Sequence, residues 1–372
     1  MSKTFLILGG YGNTGKLIAD FLLKHTDSKL IIAGRDRSKA EKTARFLNQK
    51  YFDERTKALR IDAANKKYLS EKFLSSDLII TASSTTEFSR NIIEAAIEAG
   101  KDYLDIQLSS EKKLSILKSY ERKIKENGLL FITDCGFHPG IPAIMTRYAG
   151  ERFEKLEIAN IGSLINIDWK DLVFSESTIL EMVDEFKSYK PLTYRNNQWE
   201  KSSYKDYKKF DFDFDFKKIT CVPMMLEEMK ALPNKYPTLR ETGFYVTGFN
   251  PFVNYFIIPV GSLAMKIIPG LARKPFARSF EWGLKKFSKP PYRTVLVLSA
   301  IGRQAELTKE LRIKISHADG YWLTAASVSA LLFQYVRGTF KQPGVFLQGH
   351  LARPDIFFKD LEMLGVNVSI KN

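Results

Sequence analysis

An apolar run, Phe5-Leu6-Ile7-Leu8, leads through Gly9 into Gly10-Tyr11-Gly12-Asn13-Thr14-Gly15. The next stretch, Lys16 to Leu23, has an apolar helical face. No other feature restricts the fold of this chain as much. A buried strand, a G-x-G-x-x-G turn and a helix, in that order, form the opening unit of a dinucleotide-binding domain. Gly10 permits the tight turn, Gly12 lets the backbone approach a pyrophosphate, and Gly15 lets helix and strand pack closely. Tyr11, Asn13 and Thr14 complete the loop, and the helix N-terminus contributes amide donors and a positive dipole. The alternative, a glycine-rich turn without a ligand, is disfavoured by the flanking strand and helix.

The pattern continues. Apolar β-rich runs at 4–9, 29–34, 58–62, 77–82, 102–106 and 129–133 alternate with helix-like segments at 14–25, 37–51, 66–73, 89–99 and 109–126. Short strands separated by longer helices predict a parallel sheet with right-handed crossovers. Beyond Pro139 the texture changes to strands at 156–167, 294–300 and 310–316, helices at 177–186 and 323–337, and an alternating Phe/Asp run at 210–216. This is the texture of an α+β domain with a mainly antiparallel sheet. The expected architecture is α/β: a doubly wound parallel Rossmann sheet over 1–140 and an inserted α+β substrate or dimerisation domain over 141–316. A C-terminal segment over 317–372 is expected to return to the first domain.

Composition narrows the class. With 44% hydrophobic and 27% charged residues the chain is globular, and 372 residues suffice for two cores. Two cysteines, Cys135 and Cys221, offer neither a disulfide framework nor a zinc spacing, and Cys135 reads as a small buried residue rather than a nucleophile. The opening residues lack the features of a signal peptide, so a cytoplasmic protein is expected. The formal net charge of +15 admits anionic partners, but no nucleic-acid-binding signature accompanies it, and no nucleic-acid partner is expected. Residues 252–271 are nearly all apolar, though interrupted by Pro259, Gly261, Lys266 and Pro269. They read as a buried or subunit-interface helix pair, as a peripheral membrane contact through 252–278, or as a span.

Specificity for the dinucleotide is written after the second strand. An NAD site places an acid there for the ribose hydroxyls. This chain has Ala33-Gly34-Arg35-Asp36, with Arg37 and Lys39 close by. A guanidinium in place of the carboxylate suits a 2′-phosphate and predicts NADP, with NAD second. Asp36 is the competing ribose ligand. Asp62 after the third strand is placed at the adenine amine, and Ser83-Ser84-Thr85 after the fourth at the nicotinamide ribose. Each of these is equally suited to capping a helix.

The GGYGNTG turn, AGRD after the second strand, YLDIQ at 103–107 and DCGFHPGIPAI at 134–144 together resemble the saccharopine dehydrogenase-like oxidoreductases. The likeness extends to Pro290-Pro291-Tyr292 and to LTAA and PGVF near the C-terminus. It implies a pyridine-nucleotide oxidoreductase acting on a small-molecule substrate, a Rossmann domain with an inserted α+β domain, and a candidate homodimer. The imine-reducing members tend to carry an aspartate where this chain has His138, whereas other members are lipid-biosynthetic enoyl reductases or membrane-associated proteins. The expected reaction is therefore hydride transfer to or from a C=N or C=C bond of an amino-acid-like or lipid-like substrate. The alternative is a nucleotide-binding, membrane-associated protein without turnover. His138 falls where a nicotinamide ring would lie and is the candidate proton donor, or else a residue that caps the next helix or lines the pocket. Asp105, Gly136, Pro139 and Gly140 complete the expected cofactor contacts, and His317 with Asp319 is read as bordering the cleft from the second domain.

Overall fold

The computed structural model describes residues 2–83, 86–170, 172, 176–189, 191–213, 216–340 and 342–372. Two bodies divide the chain: Met1–Ile144 with Tyr321–Val366, and Met145–Gly320 with Asn367–Asn372.

In the first body β1 (Thr4–Leu8), β2 (Lys29–Gly34), β3 (Thr56–Arg60), β4 (Leu78–Thr81), β5 (Asp102–Asp105) and β6 (Leu130–Thr133) alternate with α1 (Asn13–His25), α2 (Arg37–Tyr51), α3 (Leu69–Phe73), α4 (Ser89–Glu98) and α5 (Glu111–Glu126). The strands are parallel and lie in the order β6-β5-β4-β1-β2-β3. β1 pairs on one side with β2, Phe5 opposite Leu30, and on the other with β4, Phe5 opposite Leu78. Their apolar runs are continuous because helices cover both faces, so Phe5, Leu6, Ile7, Ile32, Leu78, Ile79 and Ile80 are almost inaccessible to water. Sequence order reverses at β1, which has β2 on one side and β4 on the other. In an open parallel sheet such a reversal leaves a crevice beyond the carboxyl ends of the strands.

The division between the bodies falls within α6 (Ile141–Gly150). The second body comprises β7 (Lys155–Asn166), α7 (Glu176–Ser188), β8 (Leu192–Arg195), β9 (Gln198–Lys201), β10 (Lys208–Asp211), β11 (Lys218–Met224), α8 (Leu232–Lys235) and β12 (Glu241–Thr247). A π-helical turn (Val253–Ile257) then leads into α9 (Ile258–Ile267), α10 (Pro269–Phe287), β13 (Arg293–Gln304) and β14 (Leu307–His317). Its mixed sheet runs β10-β11-β12-β7-β13-β14, with β8 paired to β12 and β9. Among the described residues only its β7–β12 pair is parallel.

The chain closes with α11 (Gly320–Val336), β15 (Gly344–Leu347), α12 (Gln348–Leu351), α13 (Pro354–Met363) and β16 (Asn367–Lys371). β15 adds a seventh parallel strand beside β6. It lies in the PGVF motif, too short to announce itself by pattern. β16 pairs antiparallel with β14, Lys314 opposite Ser369, so the last residues join the second sheet and not the first.

Two expectations change. The 210–216 alternation keeps its period at first, with Phe210 and Phe212 both buried, but strand pairing ends at Asp211. Asp213 turns into the left-handed region at φ 57°, where its carboxylate binds Arg312 and Lys314 of β14. Residues 214 and 215 lie outside the described ones. The 252–271 segment is helical, and among the described residues no helix is long and apolar enough to cross a membrane.

Candidate functional site at the carboxyl edge of the parallel sheet

β1 delivers the chain to Gly9 at φ 80°, where a Cβ would lie 2.6 Å from the Ala82 carbonyl oxygen, so only glycine lets the ends of β1 and β4 approach this closely. The Gly10 amide donates to the Ile7 carbonyl at 3.1 Å and the Gly12 amide to the Gly9 carbonyl at 2.8 Å, which closes the loop. At Gly15 an added Cβ would sit 2.3 Å from the Gly9 oxygen, so this glycine brings the helix onto the strand. Gly12 differs: a Cβ there meets only the Gly9 oxygen, at 3.1 Å, and its other side is open. α1 then begins at exposed Asn13 and buried Thr14, with no side-chain cap and no acid in its first turn. Its leading amides and positive end are thus directed at the space an anion would fill. The loop fits a pyrophosphate.

On the β2–β3 side the Tyr11 ring lies across Gly34, where a Cβ would come within 2.5 Å of Tyr11 Cε1. The Tyr11 hydroxyl accepts from the Asp36 amide at 3.2 Å. Asp36 caps α2, its Oδ1 accepting from the Lys39 amide at 3.0 Å, so the carboxylate that competes for a ribose is held by its own helix. Arg35 is exposed, and so is Arg60, whose Nε donates to the Arg35 carbonyl at 3.3 Å. Sequence reasoning missed Arg60 because the strand expected over 58–62 runs from Thr56 to Arg60, which places this arginine at the strand's end instead of its middle. Arg37 pairs with Glu41 and Lys39 with Asp36, so neither extends this cationic pair. Asp62 is exposed and folds back, its Oδ1 accepting from the Ala64 amide at 3.1 Å.

On the β4–β5–β6 side the Ser83 carbonyl accepts from Gln107 Nε2 at 3.0 Å. Ser84 and Thr85 lie outside the described residues. Asp105 is fully buried, and its carboxylate accepts from Lys113 Nζ at 2.9 Å, from Thr133 Oγ1 at 2.9 and 3.0 Å and from the Gln107 amide at 3.0 Å. These donors engage the carboxylate, which ties the ends of β5 and β6 to α5. Lys113 is the residue the sequence concealed, one lysine among many between 101 and 125, yet only 3% exposed. Burial pulls its pKa down, but Asp105 and Asp134 outweigh that and leave it raised. Asp134, in the left-handed region at φ 56°, accepts from Ser109 Oγ at 2.6 Å and lies 3.5 Å from Lys113 Nζ. Burial is the main cause of its raised pKa, about 6, against which Lys113 and Ser109 pull.

The turn from β6 to α6 is fixed from the C-terminal elements. The Gly136 carbonyl accepts from Ser327 Oγ of α11 at 2.6 Å and from Gln348 Nε2 of α12 at 3.3 Å. Gly140 stands at φ 125°, where a Cβ would press to 2.5 Å on Gln348 Nε2. Between them lie buried Pro139 and half-buried His138, its ring 4.0 Å from that of Phe137. Desolvation pushes the His138 imidazole down to about 3. Loss of solvation disfavours the charged ring. Three strand spacings, about 14 Å, separate this turn from the glycine loop along one edge. In the second body His317 Nδ1 accepts from the Asp319 amide at 3.0 Å, a local turn.

Residues 5–129 match the saccharopine dehydrogenase NADP binding domain. A carboxyaminopropylagmatine dehydrogenase from Synechocystis sp. is 24% identical over 173 residues, covering 44% of this chain and 42% of the relative. The chain thus spans less than half the length of that relative. The apo saccharopine dehydrogenase (L-Glu forming) of Saccharomyces cerevisiae has the same fold over 100% of this chain and 99% of its own, with a TM-score of 0.71 and 14% identity. Strand order, glycine turn and family match agree: residues 5–129 match the saccharopine dehydrogenase NADP binding domain, and the whole chain has the fold of saccharopine dehydrogenase.

Proposed function

We propose that this chain is an NADP-dependent oxidoreductase that transfers a hydride to or from a C=N or C=C bond of a small substrate. One observation carries the cofactor choice: Arg35 and Arg60 stand side by side at the ends of β2 and β3, while Asp36 is held as a helix cap. Two guanidiniums there suit a 2′-phosphate, and the Asp36 carboxylate is turned toward the Lys39 amide and ammonium. When bound, the cofactor would supply or accept the hydride. Gly10, Gly12, Asn13, Thr14 and Gly15 would hold its pyrophosphate, and the edge from Ser83 to the turn at Gly136, Pro139 and Gly140 would take its nicotinamide half. The name of the Synechocystis relative, a carboxyaminopropylagmatine dehydrogenase, supports the C=N reading and an amino-acid-like substrate.

His138 in this reading binds and orients. A neutral imidazole presents one N–H donor and one acceptor nitrogen, so it can position a carboxylate or amine of the substrate without adding charge. Because its pKa lies near 3, it contributes no inflection to the kcat/KM profile between about pH 5 and pH 8. An inflection in that range that vanishes in His138→Asn would show a protonating role instead.

Thermal-shift titration with NADPH and NADH tests the cofactor. Stabilisation should appear at lower NADPH than NADH concentration, and Arg60→Ala should erase the difference. Equal stabilisation by both, or by neither, defeats the assignment. Oxidation of NADPH with imine and enoyl substrates offered in parallel then separates C=N from C=C chemistry.

A further inference from the structure

The π-helical turn and α9 are apolar on both faces. Val253, Ile257, Gly261 and Met265 point inward and are buried, in one cluster with Phe276, Phe280 and Leu284 of α10. At Gly261 a Cβ would come within 2.2 Å of the Phe276 ring, so the two helices are in close contact. This inner face accounts for the apolar sequence only in part. The outward positions Phe252, Tyr255, Phe256, Val260, Leu263 and Ile267 repeat at three- and four-residue intervals along the same helix and are exposed, Tyr255 by 81% and Ile267 by 70%. Leu271, at the start of α10, continues the stripe at 77% exposure. An ordinary surface helix would place polar residues there, and an exposed apolar stripe of this length marks an interaction surface.

Charge identifies the occupant. Between residues 250 and 292 the chain has seven lysines and arginines and a single acid, Glu281; Arg273 and Lys274 pair with Asp184 and Glu176 of α7 and Lys285 with Glu281, so the rim is formed by Lys266, Arg278, Lys286 and Lys289. Lys266 lies at the Ile267 end of the stripe, and Lys286 and Lys289 lie at the other, where Phe287 meets Phe252 at 5.1 Å and half-exposed Trp282 meets it at 6.1 Å. An apolar stripe, a cationic rim and an aromatic end match the interfacial zone of an anionic bilayer. A second copy of the chain would bring an identical cationic rim against this one, and the two would repel. The helical stretch 253–267 is about 22 Å long at 1.5 Å per residue, shorter than a hydrocarbon core. We propose that this face docks on an anionic lipid surface, lying in the interface without crossing it.

Flotation of the full chain with vesicles of phosphatidylcholine alone, and of phosphatidylcholine mixed with phosphatidylserine, tests this. The chain should float with the mixed vesicles, at least tenfold less with neutral ones, and release as salt is raised. Val260→Glu with Leu263→Glu should lower partitioning at least tenfold while far-UV circular dichroism and NADPH binding stay unchanged, since both side chains are exposed and remote in sequence from the dinucleotide turn. Lys266→Glu with Lys286→Glu should abolish the preference for phosphatidylserine. No flotation, or equal flotation of parent and Val260→Glu/Leu263→Glu chains, overturns the proposal. So does concentration-dependent dimerisation in light scattering that the same double variant abolishes, because a second copy then occupies the stripe.

Discussion

The two halves of the parallel sheet's carboxyl edge treat charge in opposite ways. Beside β2 and β3 the cations Arg35 and Arg60 stand in water. Beside β5 and β6 the charges of Lys113, Asp105 and Asp134 are buried within the protein. An exposed guanidinium keeps its hydration until an anion arrives and is available to an external phosphate. A buried lysine between two carboxylates is already committed, and its desolvation is offset by that pairing and by the Gln107 carbonyl, to which Nζ also donates. The exposed half is suited to capture, and the buried half to holding strand ends and the β6–α6 turn in place. Between them the uncapped start of α1 faces the switch point of the sheet.

The comparison can be broken most forcefully at Lys113. Lys113→Met leaves two buried carboxylates without their cation and should cost about 3–5 kcal/mol in urea unfolding. A loss under about 1 kcal/mol would show that the buried half does not depend on the pairing. Asp134→Asn comes next. Its pKa of about 6 lies above the ordinary carboxylate value, so the protonated carboxyl favours the folded state. The associated stability is complete below about pH 4 and is lost as pH rises through about 6. The variant should therefore match the parent near pH 4 and exceed it by up to roughly 3 kcal/mol above pH 7, since each pKa unit is worth about 1.4 kcal/mol. Unfolding curves that stay parallel across that range would refute the assignment.

Smaller effects are expected on the exposed half. Arg60→Ala should weaken NADPH about tenfold, roughly 1.4 kcal/mol, and leave NADH and chain stability unaltered, as calorimetric titration would read. Equal weakening of both dinucleotides would move Arg60 from the 2′-phosphate to a shared group. The smallest change is Asp36→Ala, which removes the α2 cap at a cost of about 1 kcal/mol in thermal unfolding. If that variant also gained affinity for NADPH over NADH, Asp36 would be facing the ribose as well as its helix.

Much of this was legible beforehand, for reasons that particular residues illustrate. Phe5 to Leu8 and Leu78 to Thr81 read as strands because a sheet covered on both faces needs unbroken apolar runs. The Gly10–Gly15 turn was readable because Gly9, Gly10 and Gly15 meet backbone that no side chain could share. Arg60 was hidden by a two-residue error in where β3 ends, and Lys113 by composition, since nothing local distinguishes a buried lysine from its solvated neighbours. β15, four residues long, forms only because β6 offers it a free edge.

The sequence by itself determined the alternation of elements and the dinucleotide turn, because both depend on steric and apolar preferences acting within a few residues. It also carried the cationic end of the second strand. Tertiary structure alone decided which charges are solvated and which are paired. It withdrew Asp105 into an ion pair, turned Asp36 to its own helix, brought Arg60 to the carbonyl of Arg35, and lowered the pKa of His138 by burial. Burial and partnership arise from contacts among residues tens of positions apart, and the desolvation energies that follow are not written in any one segment of the chain.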